Sequence, residues 1–282
     1  MGYLWEVTDT VHQDALTHLS AAETRLSEVL ARPKRIALGC IVVLTSLGWL
    51  ALALMISGRS SGWDTWQALC QPALAGTWAS FWGSFAVALP MWAAMILAMM
   101  LPTAGPMILT YAEIADTAAR KGEPVVSPLV LTTGYVAVWI GFAVAAATLQ
   151  GTLARAGWLD GGSVSRVAGG AIFIVAGVYQ FSALKRSCLT QCQRPFPFFF
   201  SNWTEERAAV FRLGLRQGLY CLGCCCAMMG VMFAVGTMNV VWMAALGVLM
   251  TIEKLSATAR FSHAVGAGFV AIGSVMVAWS LV

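Results

Sequence analysis

Gly218-Leu-Tyr-Cys-Leu-Gly-Cys-Cys-Cys-Ala-Met-Met229 sets four cysteines and two methionines inside a stretch, 216–236, that is apolar enough to cross a bilayer. A span needs about 20 residues, and hydrocarbon leaves backbone polar groups no partner but one another, so such a segment is helical. Wound at about 100° per residue, Cys221, Cys224, Cys225, Met228 and Met232 fall within one narrow stripe. Cys226 points away from it. Thiolate and thioether sulfurs on one helix face form a track for a soft metal ion, although cysteine and methionine also pack well as apolar residues.

The rest of the chain repeats the apolar theme. Hydrophobic residues make up 59% of 282 and charged residues 11%, against the roughly one-quarter charged content of soluble domains. The sequence reads as all-α, a polytopic helical membrane protein with about seven transmembrane helices, at 36–56, 79–101, 128–150, 167–184, 216–236, 238–252 and 264–282. The sixth is short, and the count is six if it is re-entrant. Basic residues sort across these spans. Fourteen fall before the first and after the second, fourth and sixth, whereas the alternate loops hold Arg59, Arg155 and Arg166. The positive-inside rule then puts the N-terminus inside and the C-terminus outside. The net charge of +4 follows from that bias and gives no sign of a nucleic-acid partner.

Two units are expected: an amphipathic cytoplasmic-side helix over 1–35 and a single transmembrane helical domain over 36–282. Leu4, Val11, Ala15, Leu19, Ala22, Leu26 and Leu30 recur at helical spacing in the first, as in helices that lie on a membrane surface. Trp63, Trp66, Trp78 and Trp82 suit an interfacial belt on the outer side. Cys70 alone falls outside, and the others fall toward the reducing cytoplasmic side, so they read as thiols rather than as a disulfide framework.

A second pair, Cys188 and Cys192, stands at i, i+4 and shares one face of the fourth helix at its inner end. That helix is expected to run to about Arg194 and stop at Pro195. With Cys221 and Cys224 or Cys225 it offers a site of two to four thiolates between adjacent helices. Thiolate is the binding species and neighbouring cations favour it; Lys185, Arg186 and Arg216 are the candidates. In the second span Met91, Met95 and Met99 recur every four residues along one ridge, bracketed by Pro90 and Pro102. Thioethers favour Cu(I), whereas Zn(II) prefers thiolate, imidazole and carboxylate. Met238, Met243 and Met250 add no clear face. His12, His18 and His263 are too scattered for a haem or zinc-hydrolase site. Glu253-Lys254 suits an ion pair, a proton-coupling role or a solvated span end. No phosphate-binding loop or aspartyl-phosphate segment occurs, which argues against ATP-driven transport by this chain alone.

The order of these motifs resembles a bacterial family of predicted metal-binding integral membrane proteins, a domain of unknown function. The matching pieces are Met91-Trp92 through Ala98-Met99-Met100-Leu101-Pro102, Gly177-Val178-Tyr179-Gln180, Leu184-Lys185-Arg186-Ser187-Cys188 with Cys192, Gly218 through Cys225, Met228-Met229, Met238-Asn239 and Glu253-Lys254-Leu255. The likeness covers roughly 80–280 and departs at Cys226, where an aromatic residue is expected. It implies metal binding in a multi-pass protein of the bacterial inner (cytoplasmic) membrane. The leading expectation is therefore Cu(I), with zinc as the second candidate, held by Cys188, Cys192, Cys221, Cys224, Cys225, Met91, Met95, Met99 and Met228 for transport or delivery. The partners are then the ion, the bilayer and a metal-donor or metal-acceptor protein. Two alternatives stand beside it: a membrane oxidoreductase working through thiols or copper, and a non-catalytic structural subunit of a membrane complex.

Overall fold

Capping residues mark where the helices begin. Ser127 accepts from the Leu129 amide ahead of Pro128, Ser165 from that of Ala168, and Ser182 from that of Lys185, each satisfying one of the orphan donors of a first turn. Glycines at positive φ close two helices: Gly122 (φ 76°) and Gly157 (φ 71°) take the left-handed turn that a Cβ resists. The computed structural model describes residues 33–57, 81–160, 163–236, 240–256 and 259–280. The expected surface helix before residue 33, Cys70, Trp63, Trp66, Trp78, His12, His18 and Met238 lie outside them.

In chain order the helices are α1 (Pro33–Ser57), α2 (Phe81–Met95), a π-helical turn (Ile96–Met100), α3 (Leu101–Arg120), α4 (Pro128–Arg155), α5 (Arg166–Tyr179), α6 (Ala183–Gln193), α7 (Pro195–Ser201), α8 (Arg207–Gly230), α9 (Met232–Val235), α10 (Val240–Leu255) and α11 (Ala259–Ser280). Two short strands, β1 (Leu159–Asp160) and β2 (Ser163–Val164), pair antiparallel between α4 and α5. The tightest pairings are α5 with α11, α4 with α8, and α2 with α4.

Among the described residues, five helical stretches are long and apolar enough to cross a membrane: 37–54, 85–120, 128–155, 207–235 and 260–280, or up to six if α5 and α6 together make one. The helices depart from the expected bounds at two places, and the sixth is short, as expected. The second span does not end at Leu101 but continues through Pro102 and Pro106 to Arg120. Pro102 offers no amide to the turn before it, and the wider π turn there, where the Leu101 amide reaches back to the Ile96 carbonyl, absorbs the defect without ending the helix. The fourth span does not run straight to Arg194. It breaks after Tyr179 and resumes at Ala183, bent by 66°, because Ser182 caps a new helix there; the stop before Pro195 holds. The sixth helix, α10, has 16 residues, short of a full span.

Large apolar residues crowd the outside of these helices. Leu38, Val42, Leu47, Leu50 and Leu54 of α1 and Ile140 of α4 are at least half exposed. The inner faces carry the polar minority, with Gln150, Gln180, Lys185, Gln217 and Glu253 almost fully buried.

Small residues let the helices approach. A Cβ at Gly177 would stand 2.7 Å from the Gly266 carbonyl oxygen and 2.8 Å from the Val270 nitrogen, both backbone atoms that cannot swing aside. Gly177→Ala is therefore expected to separate α5 from α11 and cost about 1–3 kcal/mol, the usual range for overpacking. Gly141→Ala, with nothing within 4 Å of the new methyl, should be neutral or gain up to about 1 kcal/mol through helix propensity. Melting curves of the two variants in one detergent check the contrast.

Candidate metal centre

Helix α8 delivers its sulfurs as the 3.6-residue period requires. Cys221, Cys224, Cys225, Met228 and Met229 are all buried, as is Met232 at the start of α9, whereas Cys226 is half-buried on another side, lining an apolar groove with Phe142, Ile172 and Phe233. The Sγ atoms of Cys221, Cys224 and Cys225 lie within 4.8 Å of one another, and those of Cys224 and Cys225 are 3.4 Å apart. Helix α6 brings Cys192 to 4.0 Å from Cys224. Four thiols from two helices thus gather in one place.

Cys188 takes a different position. Its Sγ lies against Gly223, where an added Cβ would stand 2.6 Å away, so it packs on the backbone of α8 outside the three-thiol group. Tyr179 fixes the same turn by donating to the Gly223 carbonyl at 2.6 Å. The absence of a side chain at 223 is what lets α6 come close enough for Cys192 to reach Cys224.

The methionine ridge lies in the core. Met91, Met95 and Met99 are buried, as is Met228. Helix α2 and the π turn run antiparallel to α8: the Trp92 ring stands 5.6 Å from that of Phe233, while the Tyr135 hydroxyl bridges the Met100 carbonyl (3.2 Å) and Cys221 Sγ (3.0 Å). From Met91 to Met99 the thioethers therefore descend from the level of Phe233 toward the level of the thiols. Met243 and Met250 of α10 are buried too, and Met99 packs against Gly247.

Charge enters from a direction to which the sequence does not point. Lys185 turns to Glu253, at 2.8 Å. Arg186 is exposed, and Arg216 lies over the Phe198 ring and reaches Asn202. None of the three expected cations touches the cluster. Lys254 does: its ammonium donates to Cys221 Sγ at 3.0 Å and to Thr103 Oγ1 at 2.6 Å. Thr103 in turn donates to the Met100 carbonyl at 2.9 Å. Glu253 and Lys254 do not pair with each other; consecutive helical residues point some 100° apart, one to Lys185 and one to the thiols. Tyr135, Thr103 and Lys254 are the members that sequence reading does not assign. They lie 86, 118 and 33 positions from Cys221, and no local spacing links them.

Chemically this is a soft-donor set. An ammonium hydrogen-bonded to sulfur favours thiolate over thiol, and thiolates with adjacent thioethers suit Cu(I). His263, stacked on Phe181 at 5.2 Å, takes no part.

No curated protein and no solved structure gives a significant match to the chain. The sequence profile of one family, described as copper chaperone, matches residues 89–276, an interval that holds every thiol of the cluster, the methionine ridge and Lys254. By that match over two thirds of its length, the chain belongs to the PpoB2 copper chaperone family.

Proposed function

We propose that this protein is a multi-pass protein of the bacterial cytoplasmic membrane that binds Cu(I) and hands it to an acceptor protein. The cargo ion sits on Cys221, Cys224 and Cys225, with Cys192 as the fourth sulfur, and Met91, Met95, Met99 and Met228 form the approach. The observation that carries this reading is the buried three-thiol group of α8 with a cation on one of its sulfurs. The copper chaperone family supports the metal and the delivery role. The apolar exteriors and the five membrane-length helices support the bilayer setting, and the fourteen-to-three partition of basic residues supports an inside N-terminus. Delivery along this route follows ligand strength, since thiolate holds Cu(I) more tightly than thioether does.

A thiol-redox reading draws on the 4.0 Å approach of Cys192 and Cys224. Metal-independent disulfide turnover by the purified protein would favour it over copper delivery.

The deciding experiment is metal analysis of the detergent-purified protein produced with copper and zinc both present, beside a variant with Cys188, Cys192, Cys221, Cys224 and Cys225 all replaced by Ser. We expect about one equivalent of copper in the parent, as for a single thiolate site, and none in the variant. Zinc in the parent would point to zinc handling. No metal in either would sink the copper reading.

A further inference from the structure

A group of four thiols is a donor set that zinc ordinarily takes, in closed tetrahedral sites. Something beyond the sulfurs must tip this site toward a monovalent ion. Lys254 stands in the right place to do so. Its ammonium is held at 3.0 Å from Cys221 Sγ, and it cannot drift away because Thr103 Oγ1 accepts from it at 2.6 Å. Thr103 is itself buried and anchored on the π turn through the Met100 carbonyl. A fixed positive charge is thereby built into the wall of the cluster.

We propose that Lys254 is a specificity-determining residue that selects a monovalent over a divalent cation at this thiolate site, an inference that rests on the metal-site reading above. Selection follows from a difference of Coulomb energies. A unit charge a few ångströms from the bound ion repels M(II) twice as strongly as M(I), whatever fixed set of thiolates binds them. At an effective dielectric near 20 and a separation of about 4 Å the extra repulsion corresponds to roughly a thousandfold in relative affinity. Sulfur softness and fixed charge then act in the same direction, toward Cu(I).

The test uses the full-length protein in detergent, under anaerobic reducing conditions at one pH. Cu(I) affinity is read by competition with a chromophoric Cu(I) chelator and Zn(II) affinity with a chromophoric zinc chelator. The proteins compared are the parent, Lys254→Gln, Lys254→Arg and the Cys221→Ser/Cys224→Ser/Cys225→Ser variant. Lys254→Gln is expected to narrow the Cu(I)-over-Zn(II) preference on the order of a thousandfold, with zinc gaining most, and Lys254→Arg to keep most of the parent's preference. Should Lys254→Gln not fold, Thr103→Val carries the test. It frees the ammonium from its anchor and should shift the ratio the same way by less. A merely structural lysine would weaken both metals in step, and an unchanged ratio in both variants overturns the proposal. If the triple-serine variant binds Cu(I) as the parent does, the thiolate site itself falls, and the role of Lys254 with it.

Discussion

Cys224→Ser is expected to weaken Cu(I) binding by more than the roughly 10–100-fold that loss of an outer-shell partner costs, and by more than Cys226→Ser or Cys188→Ser. Cys224 and Cys221 each have three sulfur neighbours, and Cys224 is one of the two sulfurs through which Cys192 joins the group. Cys224 stands 3.4 Å from Cys225 and 4.0 Å from Cys192, and it donates to the Cys221 carbonyl at 3.1 Å. Whichever pair or trio binds the ion, Cys224 is within reach of the others. A serine hydroxyl is a hard donor that Cu(I) does not take in place of thiolate. Cys226→Ser, on the other side of α8, should leave the affinity within a factor of about two or three, the scatter expected of a remote site. Cys188→Ser discriminates more finely. If Cu(I) affinity is unchanged, the site ends at Cys192, as the contact of Cys188 with Gly223 indicates; a loss as large as that of Cys224→Ser would extend it along α6. Chelator competition on the four single variants, Cys192→Ser included, measures all of this in one series.

That series follows directly from the 3.6-residue period, which is why the α8 face is legible in the sequence. Sulfurs at 221, 224, 225 and 228 cannot avoid sharing a side of α8, nor can Cys226 avoid leaving it; Met232 falls past the end of α8, in α9. The i, i+4 pair Cys188/Cys192 is legible in the same way. What the period cannot say is which of the two meets the other thiols, because that is set by the missing side chain of Gly223 in another helix. The break between α5 and α6 is hidden for a related reason. Phe181-Ser182 carries neither proline nor glycine, and the bend is held from within, where the Lys185 ammonium joins the Gln180 side chain to Glu253 of α10. Lys254 reads in sequence only as the neighbour of Glu253. Its partners come from α3 and α8, and only the assembled helices bring Thr103 and Cys221 to one ammonium.

Glu253→Gln is expected to destabilise the protein by about 3–5 kcal/mol, the cost of breaking a buried ion pair while leaving its partner charged. The pair is among the most enclosed features of the fold: Lys185 is 1% and Glu253 3% exposed, with 2.8 Å between them. Gln180 accepts from the same ammonium, and Ser262 of α11 donates to the carboxylate. Gln193 of α6 closes the frame by donating to the Glu253 and Ser256 carbonyls at 3.0 and 2.6 Å. With glutamine at 253 the buried lysine loses its counter-charge. The double variant Lys185→Met/Glu253→Leu removes both charges at similar volume, so it should recover most of the loss or exceed the parent, as apolar replacements of buried pairs often do. Melting temperatures in one detergent separate the three proteins. A drop in the double variant as deep as in the single would mean that the frame depends on the ionic contact itself. The copper readout adds a second consequence, because Glu253 and Lys254 are consecutive residues of α10. The ion pair fixes the end of that helix against α6, and so fixes where the Lys254 ammonium meets Cys221. The double variant is then expected to recover its melting temperature but only part of the Cu(I)-over-Zn(II) preference; full recovery of both would show that the pair holds the helices together without positioning Lys254.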